Sequence, residues 1–189
     1  MILPKVRDPR LVTIRRGGLL TDPDHHLLAL WAAACAEHVL DLFEAECPSD
    51  LRPRHAIAGA RAWAAGELAM MQSRAAGGHA MGAARPLSGA ARFAAYAAGQ
   101  AACIPHVPEH DLGAAAYAIK AAQAAAAAGD DGEAAARREC QWQLDQLPDP
   151  IRALVLDAQA RRNPICWWVF TEPGPLGAGP THPSAGPQR

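Results

Sequence analysis

The chain has 189 residues and a formal net charge of −1, and this length suits one domain with a single hydrophobic core. The near-neutral charge gives no electrostatic reason to expect nucleic acid or an anionic membrane as a partner, so we expect neither. The five cysteines form no C-x-x-C pair, which excludes a zinc knuckle and a thioredoxin-like motif. Scattered cysteines, the lack of an apolar leader and the lack of an apolar run of about 18 residues predict a cytoplasmic protein.

Alanine makes up about a quarter of the residues, and it has the highest helix propensity of all amino acids. We therefore predict a single all-α domain of about six helices over residues 21–170. An extended N-terminal arm, residues 1–20, should precede it. A tail over residues 171–189 is nearly half Pro and Gly and is predicted to be disordered. Because small side chains allow helices to approach closely, a homodimer is an open alternative.

Capping residues, prolines and glycines delimit the predicted helices. Pro48 ends the first helix, a break at Gly77-Gly78 follows the second, and Asn163-Pro164 closes the last. The predicted helices are residues 22–47, 53–74, 88–103, 108 to the alanine run before Gly129, 133–147 and 149–162. Residues 165–170 should pack on the bundle as strand-like coil. There, Trp167-Trp168 either anchors a partner or seals the core.

Two ionisable side chains interrupt the apolar faces of the first two helices. His38 lies within the apolar stripe of the first, with Asp41 three residues later, and Glu67 falls among the apolar residues of the second. A buried imidazole or carboxylate needs hydrogen-bond or charge partners. His38 is thus either a satisfied core histidine or a ligand or proton-transfer group. Glu67 is either buried with a partner or turned outward by a kink at Gly66.

The segment from His106 to Lys120 carries the most informative pattern in the chain. At about 100° per residue, His110, Tyr117 and Lys120 share one helical face. His106 should remain in the turn before this helix, because Pro108 fits a first helical turn. The segment matches the H-x-x-E-H pattern of one metalloprotease group, but Pro108 disrupts the helix that must present both histidines. The face is therefore either a site or an ordinary hydrated surface.

Side chains from these helices form one candidate pocket inside the bundle, since helical bundles build sites from inward-facing carboxylates and imidazoles. The candidate residues are His38, Asp41, Glu67, His106, His110, Tyr117 and Lys120. A metal ion at His38, Glu67, His106 and His110 is an alternative to a site without a cofactor. The G-x-S-x-G elbow, the phosphate loop and the dinucleotide fingerprint are absent from the sequence.

Several stretches match one family pattern: Arg7-Asp8-Pro9-Arg10, Thr13-Ile14-Arg15-Arg16-Gly17-Gly18, Leu30 to Leu40, His106 to Lys120, and Asn163-Pro164-Ile165-Cys166-Trp167. Together they resemble the immunity proteins related to immunity protein five of bacterial polymorphic toxin systems. The resemblance covers about residues 7–170 and implies a helical intracellular protein that neutralises a toxin. No catalytic residue is carried over. Trp168 and the tail beyond Phe170 depart from the pattern and leave the partner open.

We therefore expect a bacterial, cytoplasmic immunity protein that binds and neutralises a toxin, either a protein or a toxic small molecule, without catalysis. The alternative is a small all-α enzyme or metal-binding protein with a His/Glu/Tyr site in the bundle. That alternative predicts an enclosed cluster of perturbed side chains lining a pocket.

Overall fold

The computed structural model describes residue 4 and residues 6–126 and 131–170 of the chain. Over these residues the secondary structure is helical and contains no β-strand, so the predicted all-α fold class is confirmed. The α-helices of the described part are α1 Asp22–His38, α2 Asp41–Glu44, α3 Arg52–Ala64, α4 Met70–Ala84, α5 Gly89–Cys103, α6 Asp111–Ala125, α7 Gly132–Asp145 and α8 Asp149–Arg162. None of them is long and apolar enough to cross a membrane. The tail predicted to be disordered, residues 171–189, lies outside the described residues.

The first predicted helix is interrupted about two thirds of the way along. Thr21 caps α1 by accepting a hydrogen bond from the Asp24 N–H, as the sequence indicates. The helix ends at His38, because Val39 has φ −116° and ψ 9°, outside the helical region. The short helix α2 then follows, so His38 lies at a helix C-terminus rather than inside a long helix.

The second predicted helix is divided at Gly66, which has φ +79°. The Glu67 N–H donates to Ala62 O at 2.8 Å and the Gly66 N–H donates to Trp63 O at 2.9 Å. These two bonds form a Schellman motif, which ends a helix with a residue in the left-handed region. Glycine meets that requirement at no steric cost. The chain therefore leaves α3 here and turns Glu67 into solvent.

The predicted break at Gly77-Gly78 is wrong, since both residues lie inside α4. Gly77 lies at a close approach of α4 to α5. A Cβ added at Gly77 would lie 2.7 Å from Gly99 O, and one added at Gly99 would lie 2.9 Å from Gly77 O. At this crossing, backbone packs directly against backbone, and glycine supports helix packing rather than a chain break.

The centre of the bundle is α5, which packs against α1, α3, α4 and α6. Ten of its fifteen residues are buried, and seven of those ten are alanines. Larger side chains, including Trp31, Phe43, Leu112 and Ile119, fill the remaining core. About half of the buried apolar residues are alanines, so the helices approach closely and the packing depends on that close contact.

Both ends of the described chain are attached to the bundle. The N-terminal arm is not simply extended: it contains 3₁₀ turns over Pro9–Leu11 and Ile14–Arg16 and one bridge between Thr13 and Leu20. At the other end, a 3₁₀ turn over Asn163–Cys166 replaces the predicted strand-like coil. Cys166 and Phe170 are buried on the bundle, whereas the two tryptophans between them point outward.

Candidate functional site

The structure does not bring the seven candidate residues into one interior pocket. His38 and Asp41 line a cleft beside α7, and Glu67 is exposed after α3. The others lie elsewhere: His106 lines a cavity under the arm, His110 packs against α5, and Tyr117 and Lys120 lie on an aromatic surface. The shared interior expected from helical periodicity is absent because Gly66 ends α3 and Val39 ends α1. The binding roles of these residues stay predictions.

His38 has a partner that its own helix does not supply. Its Nδ1 donates to Glu139 Oε2 at 2.7 Å, and its ring stacks on Trp142 with centroids 3.6 Å apart. Glu139 is buried, and its second oxygen accepts from Gln143 Nε2 at 2.8 Å. The hydrogen bond from Gln143 thus fixes the Glu139 carboxylate in place. The His38 side chain remains 41% exposed at the mouth of a cleft of about 530 Å³. A carboxylate that orients a histidine in this way is compatible with proton transfer.

His110 is held in a mostly apolar position. Its Nδ1 donates to Gln100 Oε1 on α5 at 2.6 Å. Burial lowers the pKa of His110 to about 4. The charge of Glu109 opposes this decrease, whereas the charges of His106 and Arg162 add to it. The imidazole is therefore neutral near pH 7 and, as a structural hydrogen-bond donor, joins the 3₁₀ turn that precedes α6 to α5.

The segment that contains the H-x-x-E-H pattern is fixed by arginines from distant parts of the chain. Arg7 makes a bidentate pair with Glu109, at 2.7 and 2.6 Å. Arg162 pairs with Asp111 at 3.0 Å and also donates to the Glu109 backbone oxygen. Asp111 is 0% exposed and Arg162 is 5% exposed, so this is a buried ion pair. Because Glu109 binds an arginine, it is engaged in structure rather than free to act as a metalloprotease base.

An aromatic face, defined as Phe93, Tyr96, Tyr117 and Trp167, lies where α5, α6 and the C-terminal 3₁₀ turn meet. Tyr117 contacts the other three rings, with centroids 6.2, 5.1 and 5.0 Å away. The Lys120 ammonium lies 5.2 Å from the Phe93 ring and 5.4 Å from the Trp167 ring. The face lines an open cleft of about 380 Å³. Burial raises the pKa of Tyr117, which keeps its phenol neutral.

A second concave surface, here called the basic cavity, lies between the N-terminal arm, α1, the end of α3 and the α5–α6 connection. Its volume is about 340 Å³. Its polar lining is mostly cationic or imidazole, and its apolar lining includes one tryptophan: Arg7, Arg15, Arg16, His25, His26, His106 and Trp63. Burial, together with the charges of Arg74, Arg16 and Arg7, lowers the pKa of His106. The lining also includes the Asp22 carboxylate, so three arginines face one acidic side chain.

The four residues considered for a metal ion are not brought together, because His38 and Glu67 lie away from the α5–α6 connection that carries His106 and His110. Among the residues that the structure describes, no group of three or more His, Cys, Asp or Glu side chains is placed to hold a metal ion. The five cysteines are free, and four of them are buried. Burial raises the pKa of Cys166 to about 11, so this thiol is not an activated nucleophile.

Comparison with protein-family models matches residues 18–150 to the family described as "Imm-5 like putative immunity protein". The chain belongs to this family. The resemblance found in the sequence is thereby confirmed over the region that contains α1 to α7. Searches of curated proteins and of solved structures found no match. Of the aromatic face, the Imm-5 like region includes Phe93, Tyr96 and Tyr117, whereas Trp167 lies beyond it.

Sequence reasoning on this Imm-5 like chain missed the partners of its polar residues. Glu139 and Arg162 are buried, yet neither was singled out. One signal for Glu139 was available, because it falls beside Cys140 and Gln143 on the side of α7 that is buried. For Arg162 no local signal exists, since its partner Asp111 is 51 residues away in the sequence.

Proposed function

We propose that this Imm-5 like protein is an immunity protein that neutralises a toxin in the bacterial cytoplasm by binding it, without catalysis. The family match over residues 18–150 carries the proposal. The structure supports a protein toxin as the partner, because its aromatic face offers rings of the type that dominate protein interfaces.

The exposed tryptophans favour the partner-anchor interpretation of Trp167-Trp168 over the core-sealing one. Trp168 is 70% exposed and Trp167 is 43% exposed. Both have positive φ, at 59° and 58°, which costs about 1–2 kcal/mol for a residue with a Cβ. Asn163 supports this conformation: its Nδ2 donates to Phe170 O at 2.7 Å, and its Oδ1 accepts from the Phe170 N–H. A strained backbone that presents large apolar rings to solvent is typical of functional surfaces.

The cations beside these rings indicate the chemistry of the toxin surface. Arg92 lies 5.5 Å from the Tyr96 ring, and Lys120 lies between Phe93 and Trp167. Neither cation forms an ion pair within the described part of the chain. We therefore expect the contacting toxin segment to combine acidic with apolar or aromatic side chains, so that both the charges and the rings gain partners.

Co-expression with a candidate toxin from a neighbouring gene tests the proposal. The wild-type chain should restore growth and co-elute with the toxin on a sizing column. Trp168→Ala should weaken the complex about 30-fold or more, as the loss of an interface anchor does. Met71→Ala is the matched control, because Met71 is also an exposed apolar residue but lies on α4. Absence of both rescue and complex would remove the proposal.

The His38–Glu139 pair favours one second candidate function, an acid–base enzyme that destroys a toxic small molecule or modifies the toxin. Its oriented imidazole opens onto the cleft beside Trp142. The stoichiometry of protection separates the two functions. A binding protein stops protecting once the toxin exceeds one equivalent, whereas an enzyme protects against many equivalents. His38→Gln should abolish only the catalytic form of protection, since a glutamine amide cannot transfer a proton as an imidazole does.

A further inference from the structure

We propose that the basic cavity binds a small organic anion, one that carries a phosphate or carboxylate group on an apolar or aromatic body. The cavity shares no lining residue with the aromatic face. The inference therefore stands apart from the proposed toxin contact and is tested without any toxin.

One side of the cavity carries arginines whose guanidinium groups can bind an anionic ligand. Arg7 is engaged by Glu109, and Arg15 is paired with Asp22 at 2.7 Å. The pair with Asp22 is solvent-exposed at both partners and is therefore weak and easily rearranged. Arg16 also lines the cavity and forms no ion pair within the described residues. Guanidinium groups bind phosphate and carboxylate oxygens through paired N–H donors, which suits an anionic ligand.

His106 adds a polar group without a partner. It lines the cavity, and its Nδ1 is buried without a hydrogen bond. A buried nitrogen of this kind costs free energy unless something satisfies it. Because Nδ1 is buried, a ligand in the cavity would meet Nε2 instead, and the neutral tautomer with its hydrogen on Nε2 can donate to an anion. A bound anion near His106 would also neutralise the repulsive field of Arg74, Arg16 and Arg7.

The opposite side of the cavity is apolar and rigid. The Trp63 ring is contacted edge-on by His25 and His26, with centroids 4.7 and 4.8 Å away. His25 is fixed in turn by a 2.9 Å hydrogen bond between its Nε2 and Ile104 O. Leu68, Met70, Pro105 and Pro108 complete this wall. A volume of about 340 Å³ lies in the range of small-molecule sites and accommodates a ring as well as a charged head group.

The experiment uses four probes and the full-length protein in titration calorimetry. The probes are 1-naphthyl phosphate, 1-naphthoate, uncharged 1-naphthol and inorganic phosphate. The test variant is Arg15→Gln/Arg16→Gln, which alters two exposed side chains and should leave the fold intact. The control variant is Arg85→Gln. Arg85 is exposed at the far end of α4, whereas Met70 lines the cavity at the near end, about 22 Å away along the helix axis.

We expect at least one of the two naphthyl anions to bind the wild type and the Arg85→Gln variant equally. In Arg15→Gln/Arg16→Gln, binding should weaken roughly tenfold or more, because charged hydrogen bonds are lost. Whichever anion binds more tightly identifies the head group. Three results would overturn the proposal: neither naphthyl anion binds, 1-naphthol binds as tightly as the anions, or the double variant binds as the wild type does. Inorganic phosphate binding as tightly as naphthyl phosphate would overturn the assignment of an organic ligand.

Discussion

His110 should make the stability of this protein depend on pH. In the folded protein its pKa is lowered from 6.5 to about 4, chiefly because burial disfavours the charged imidazole. The unfolded chain therefore binds a proton at His110 in a pH range where the folded chain does not. The stabilising contribution is complete above about pH 6.5 and is lost progressively as the pH falls towards 4.

The size of the effect follows from the two pKa values. Between about pH 7.5 and about pH 5, protonation of His110 in the unfolded chain should lower the free energy of unfolding by about 2 kcal/mol. With a urea m-value of about 2 kcal/mol per molar, the unfolding midpoint should move by about 1 M.

His110→Gln isolates this contribution from those of other titrating groups. Glutamine does not titrate, and its amide N–H can still donate to Gln100 Oε1, which His110 Nδ1 contacts at 2.6 Å. Urea unfolding of both proteins at the two pH values gives the comparison. The wild type should lose about 2 kcal/mol more than the variant on acidification. Equal losses would refute the assignment of a neutral, buried imidazole.

The remaining predictions concern packing, a buried charge and backbone strain. Arg162→Leu should destabilise the fold by about 3–5 kcal/mol, because Asp111 is left as an unpaired buried carboxylate. Urea unfolding midpoints measure this loss. The double variant Asp111→Leu/Arg162→Leu should recover most of the lost stability. Gly77→Ala should cost about 1–3 kcal/mol, since its Cβ would overlap Gly99 O. Gly78→Ala, which meets open space on the same helix, should instead stabilise the fold by up to about 1 kcal/mol and so raise the thermal midpoint. Trp168→Gly should relieve about 1 kcal/mol of strain while weakening the toxin complex, and calorimetry of the free variant measures the gain.

Local signals predicted the parts of the fold that depend on local interactions. Helices were predicted to begin at residues 88 and 149, and α5 begins at Gly89 while α8 begins at Asp149. At the start of α1 the Thr21 side chain accepts from the Asp24 N–H, a local capping interaction that a sequence displays directly. Gly77 was wrongly predicted to break a helix, because its role is a close contact with α5 that no local sequence pattern reveals.

For the candidate site, too, local sequence patterns did not reveal which residues lie together. Tyr117 and Lys120 share the face predicted from helical periodicity, but His110 does not join them. The reason is that α6 begins only at Asp111, after a 3₁₀ turn over Pro108–His110, so His110 is off the helical register of the later residues. His38 was identified as a residue needing a partner, but Glu139, 101 residues away, could not be selected from spacing alone.

The N-terminal arm is attached by ion pairs that join opposite ends of the chain. Arg7 reaches Glu109, Asp8 accepts from Arg161 at 2.5 Å, and Arg10 pairs with Asp157. The same arm supplies Arg15 and Arg16 to the wall of the basic cavity. Detachment of the arm would therefore dismantle that wall and leave the buried Glu109 carboxylate uncompensated. By thermodynamic linkage, a molecule that binds only while the arm is docked also stabilises the docked arm, and it does so by the same free energy by which docking strengthens its binding.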